Sequence, residues 1–76
     1  MRKVWFIWWR DCETPDVCLT EKGAYDVARN SIICDDALSP EQMAKAIKTL
    51  DENRAEDSTN YGVPYLCQIQ EVEAFE

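Results

Sequence analysis

The sequence predicts an α+β fold, a small sheet of two to three strands with two helices on one face. Three observations lead there. The run Val4-Trp5-Phe6-Ile7-Trp8-Trp9 holds all three tryptophans and one of the two phenylalanines. It is too short for a helix that stands alone, and its aromatic and β-branched residues suit a packed, pleated surface. Ser39-Pro40-Glu41-Gln42 is a helix start. Near the end, Tyr65, Cys67 and Ile69 alternate with Leu66, Gln68 and Gln70, the two-residue period of a strand. Helices between strands that need not run parallel give an α+β domain, and 76 residues make one domain spanning 1–76.

The first strand is expected over residues 3–10, closed by Arg10-Asp11 and the turn formers Glu13-Thr14-Pro15-Asp16. One face carries Trp5, Ile7 and Trp9, the other Val4, Phe6 and Trp8. A strand with one wet face alternates apolar with polar, and this one does not, so both faces require cover. Residues 16–19, Asp16-Val17-Cys18-Leu19, read as a short returning strand and the third of the sheet.

Thr20 is placed as an N-cap with Glu21 in the first turn, which predicts a helix over about 21–32. Ala24, Val27, Ala28 and Ile32 share one face, and Gly23 weakens the first turn by roughly 1 kcal/mol relative to alanine. In the alternative, Asn30 ends the helix and leaves 31–34 extended. After Asp35-Asp36 comes the second helix, over about 40–53. Ser39 caps it, Pro40 takes the first position, Gln42 completes a capping box, and Leu38 can close on Met43 as a staple. Met43, Ala46, Ile47 and Leu50 form its buried stripe, with Lys45, Lys48, Asp51, Glu52 and Arg54 in solvent.

Residues 55–63 read as a polar loop in which Tyr61 has no evident core role. The last strand is expected over 64–75. Its apolar phase shifts at Val72 and Ala74, so either a β-bulge near Gln70-Glu71 keeps one apolar face or the strand is half wet. The first and last strands are expected to be neighbours, their relative direction left open. Since two helices cover one side of such a sheet, one set of first-strand side chains stays at least partly exposed.

The net charge of −7 lies in the second half. Residues 1–34 carry five acids and five bases; residues 35–76 carry ten acids and three bases. This argues against direct nucleic-acid binding, which needs Lys and Arg to neutralise phosphates. It suits a basic protein partner, including a nucleic-acid-binding protein. Nothing approaches the ~20 apolar residues of a membrane span, and the short tryptophan-rich run near the amino terminus lacks the cleavage site of a signal peptide. A cytoplasmic protein is expected. With no histidine there is no His-based acid–base pair or Ser-His-Asp arrangement, and there is no Gly-rich phosphate loop. Asp35-Asp36 and Asp51-Glu52 read as solvated acids. Cys12, Cys18, Cys34 and Cys67 show no CxxC spacing, which reads as four free thiols, with Cys12 and Cys18 able to meet across a hairpin. The expectation is no catalysis, no metal and no cofactor.

Protein–protein binding remains. Its expected contact residues are Trp5, Trp8, Trp9 and Arg10 as anchors, Tyr61 in the loop, and Glu71 and Glu73 on one side of the last strand. The competing reading of the tryptophans is that they simply form the core. Two further classes are an acidic mimic of nucleic acid, using such residues as Asp51, Glu52, Glu56, Asp57, Glu71, Glu73 and Glu76, and a homodimer that buries the open sheet face. Lys3-Val4-Trp5-Phe6-Ile7-Trp8-Trp9, Thr20-Glu21-Lys22 and Ile69-Gln70-Glu71-Val72-Glu73 together resemble the small acidic orphan proteins of phages and mobile elements in size, charge and layout. That resemblance implies an inhibitor or adaptor, of the kind that blocks host defence systems including CRISPR effectors by occupying a functional surface.

Overall fold

Val4–Trp9 lies inside a four-stranded sheet in the computed structural model, which describes residues 2–74. The elements run β1 (Arg2–Trp9), β2 (Asp16–Cys18), α1 (Glu21–Ile33), α2 (Pro40–Glu56), β3 (Asn60–Val63) and β4 (Cys67–Ala74). The sheet order is β2-β1-β4-β3 and every pair is antiparallel. The fold is α+β, with four strands where the sequence suggested two to three.

The extra strand is β3, which falls where a loop was expected. Its residues pair with β4 as Tyr61↔Ile69 and Val63↔Cys67. The expected last strand is thus cut at Pro64-Tyr65-Leu66, where Leu66 N–H donates to Val63 O at 3.0 Å and closes a tight turn. Pro64 takes the position that prefers a fixed φ, and Tyr65 follows at φ 66°, the pattern of a type II turn. The expected bulge is absent. β1 and β4 pair without interruption from Arg2↔Ala74 to Trp9↔Cys67, so Val72 and Ala74 lie on the opposite face from Ile69. The expected extension of the strand to Phe75 lies outside the described residues.

Both helices begin where local chemistry places them. Thr20 Oγ1 accepts from Gly23 N–H at 3.0 Å. A Cβ at position 23 would stand 2.9 Å from that oxygen, so the glycine leaves room for the cap. Gln42 N–H donates to Ser39 Oγ at 3.2 Å and Ser39 N–H to Gln42 Oε1 at 2.9 Å, the reciprocal pair of a capping box. α1 runs on through Asn30 to Ile33, and α2 reaches Glu56 rather than stopping near 53.

The core lies between the helices and one sheet face. Ile7, Cys67, Ile69, Tyr61 and Val63 meet Ala24, Ala28 and Ile32 of α1 and Ala46 and Leu50 of α2. The largest fully buried side chains are Ile7, Ile32, Leu50 and Ile69, and each contributes ~1.5–3 kcal/mol by leaving water. Trp5 and Trp9 pack around this cluster.

Candidate protein-binding surface

Strand alternation and the register of β1 divide the aromatic run. Trp5, Ile7 and Trp9 point to the helices. Val4, Phe6 and Trp8 point away, beside Val17 of β2 and opposite Val72, Gln70 and Gln68 of β4. Both helices stand on the Ile7 side, so no helix covers the other face, where Val4 is buried and Phe6 and Val72 are half-buried. There Trp8 is 39% exposed and Val17 58% exposed. The Phe6 and Trp8 rings meet edge to face, 6.0 Å between centroids and 78° between planes. Edge-to-face contact fixes the Trp8 ring against its own strand.

At one end of the sheet the β3–β4 turn adds a second aromatic. Tyr65 is 87% exposed and sits in the left-handed region at φ 66°, a conformation that a bulky residue seldom adopts. Arg10 N–H donates to Leu66 O at 3.2 Å, tying the end of β1 to this turn. Trp8, Arg10, Pro64 and Tyr65 therefore border one open groove of about 290 Å3.

Of the residues expected to touch a partner, Trp8 and Arg10 are brought together at this groove. Trp5 and Trp9 pack against the core, and Trp9 Nε1–H donates to Asp16 Oδ2 at 2.8 Å. Tyr61 corrects the sequence expectation. It lies on β3 and is 2% exposed, a core residue rather than part of a surface loop. Glu71 and Glu73 share the helical side of the sheet. Glu71 is half-buried with Lys3 Nζ at 3.2 Å, while Glu73 is exposed. Tyr65 was missed because it continued the apolar alternation of a strand. The signal that could have found it is the preceding proline, which favours the second position of a turn.

On the helical side, Glu21, Arg54, Tyr61, Tyr25 and Asp51 form a polar cluster that joins α1, α2 and β3. Arg54 donates to both oxygens of Glu21, and Tyr61 O–H donates to Glu21 Oε1 at 2.7 Å. The Arg54 guanidinium also lies 4.1 Å from the centroid of the Tyr25 ring, whose hydroxyl bonds Asp51. Hydrogen bonds from Arg54 hold the Glu21 carboxyl below its ordinary range. Burial, then the neighbouring Glu21, pushes the Tyr61 phenol up. All four cysteines are free, and burial raises the thiols of Cys18 and Cys67, which leaves them protonated and weakly nucleophilic at neutral pH. Among the described residues no three Cys, Asp or Glu converge as a metal ion would require, and no helix is long and apolar enough to cross a membrane. Comparison with protein-family models, with curated proteins and with solved structures finds no match to this chain.

Proposed function

We propose that this protein is a non-catalytic binding module that acts by occupying the surface of a partner protein. The observation that carries the reading is Tyr65, a large aromatic held exposed and in a strained backbone conformation beside Trp8 and Arg10. Strain of this sort costs on the order of 1–3 kcal/mol and collects at functional sites. Tyr, Trp and Arg are the residue types that dominate binding hot spots. The acidic second half steers the chain toward a basic partner. An inhibitor or adaptor directed at a host defence protein, such as a CRISPR effector, fits the size, charge and layout of the chain. The experiment is capture of partners from the source cells by the wild-type chain and by Tyr65→Gly and Arg10→Ala variants. A partner held by wild type and released by both variants supports the reading. A partner held equally by all three overturns it. Affinity for the captured partner at two salt concentrations separates this reading from an acidic nucleic-acid mimic, since the mimic loses most of its affinity between low and moderate salt while an aromatic-anchored contact loses little.

A further inference from the structure

The sheet face turned away from the helices has a charge pattern unlike the rest of the chain. Its centre is Val4, Phe6, Trp8, Val17 and Val72, placed there by the pairings Val4↔Val72 and Phe6↔Val17; Trp8 and Val17 are exposed, Phe6 and Val72 half-buried and Val4 buried among them. The neutral amides Asn60, Gln68 and Gln70 border it, with Arg2 at one end. The sequence holds 15 acids and a net charge of −7. Among the described strand residues, none of those acids points to this face: Asp16, Glu71 and Glu73 all pair opposite Ile7, Trp5 or Lys3 on the helical side.

We infer that this face is covered by a second copy of the chain, sheet against sheet across a two-fold axis. A two-fold contact sets one patch against the same patch, so any net charge there meets its own kind. Apolar groups do not repel their copies, and each amide both donates and accepts, so a border of Asn and Gln can bond to itself. The strand acids Asp16, Glu71 and Glu73 stay on the helical side, and Glu56 and Asp57 stand at the rim beside Asn60 and Gln68. A basic partner, by contrast, would find no strand acid on the centre of this face to recognise. The area agrees with a modest dimer. β1 and β4 have eight residues each, and at ~3.4 Å per residue and ~4.8 Å between strands the sheet offers on the order of 400 Å2 of plane per copy. Side-chain relief brings the pair near the ~1,000 Å2 of total buried surface at which specific interfaces begin. The contact therefore forms at high concentration and separates on dilution.

The face shares Trp8 with the Tyr65 groove but takes nothing from Tyr65 or Arg10, and one experiment keeps the two readings apart. Sedimentation equilibrium of the full chain, reduced because Cys12 and Cys34 are exposed thiols, is run from ~5 μM to ~1 mM. The expected mass rises from 8.8 kDa to twice that value across the range. Gln70→Glu and Val17→Glu, made separately, each place a carboxylate on the face and are expected to weaken the dimer tenfold or more. Their far-UV circular dichroism at low concentration should match wild type, and Tyr65→Gly should dimerise like wild type. A single-chain mass at every concentration overturns the inference, as does a dimer that neither face variant weakens.

Discussion

Arg54 holds Glu21 with two arms of its guanidinium, Nε to Oε1 at 2.7 Å and Nη2 to Oε2 at 2.8 Å. The pair joins the first turn of α1 to the last turn of α2 and is about one quarter to one third exposed. Because Tyr61 donates to the same carboxylate, replacing Glu21 by alanine removes the partner of a charge and of a buried hydroxyl together. Chemical denaturation should show Glu21→Ala destabilised by ~1–3 kcal/mol. A loss within experimental error would mean that water replaces the carboxylate without cost.

The same cluster sets a pH dependence. Glu21 titrates below its unfolded value, chiefly through Arg54, so between the two values the unfolded chain binds the extra proton. Its stabilising effect is present above pH ~4.3 and is lost as pH falls through the lower folded value. Glu21→Gln should flatten the acid limb of a plot of melting temperature against pH. At the alkaline end the signs reverse. Folding raises Tyr61, Tyr25, Cys18 and Cys67, so stability present below their unfolded values declines as pH rises past about 9–10. Tyr61→Phe should remove part of that alkaline decline and reduce the acid limb without abolishing it, since Arg54 remains the larger cause of the low Glu21 value.

Gly62 is required by a close approach. A Cβ there would lie 2.2 Å from Cys67 O and 2.9 Å from Gln68 Cα, both in the backbone of β4. Gly62 O also accepts from Asn53 Nδ2 at 2.8 Å, which holds α2 to β3. Gly62→Ala must push the strands apart, and should cost at least the ~1–3 kcal/mol typical of overpacking. Denaturant midpoints compare the two proteins.

Tyr65 is expected to respond in the opposite sense. Glycine adopts φ 66° without the penalty that a Cβ brings, although its freer unfolded chain offsets part of the gain. Thermal denaturation should place Tyr65→Gly between wild-type stability and ~1 kcal/mol above it. A marked loss would show that the ring supports the fold.

Ser39 tests the second helix start. Ser39→Ala removes the acceptor for Gln42 N–H and should cost ~1 kcal/mol, read as a lower denaturation midpoint.

Signals that act within a few residues were legible in the sequence. Thr20 and Ser39 bond to groups three residues along, so they mark both helix starts wherever those helices finally pack. The apolar run at Val4–Trp9 was legible as a strand because its pattern is internal to it. Tyr61 was not. Its place depends on pairing with Ile69 and on a hydrogen bond to Glu21, forty positions away. Tyr65 was hidden for a related reason. Its alternation with Cys67 suits a strand, and only the return of β3 beside β4 turns that segment into a hairpin tip.

The sequence by itself determined that β1 has two apolar faces and that the two helices have one apolar stripe each, so one face of the sheet would lack helical cover. Tertiary structure alone decided which face. The register of β1 with β4 sets Ile69 and Cys67 beside Ile7 and Trp9, and Gln70 and Gln68 beside Phe6 and Trp8. Helices bury the side that removes more apolar surface from water, which is the Ile7 side. That register also left Trp8 on the opposite face, bordering the groove of Arg10 and Tyr65.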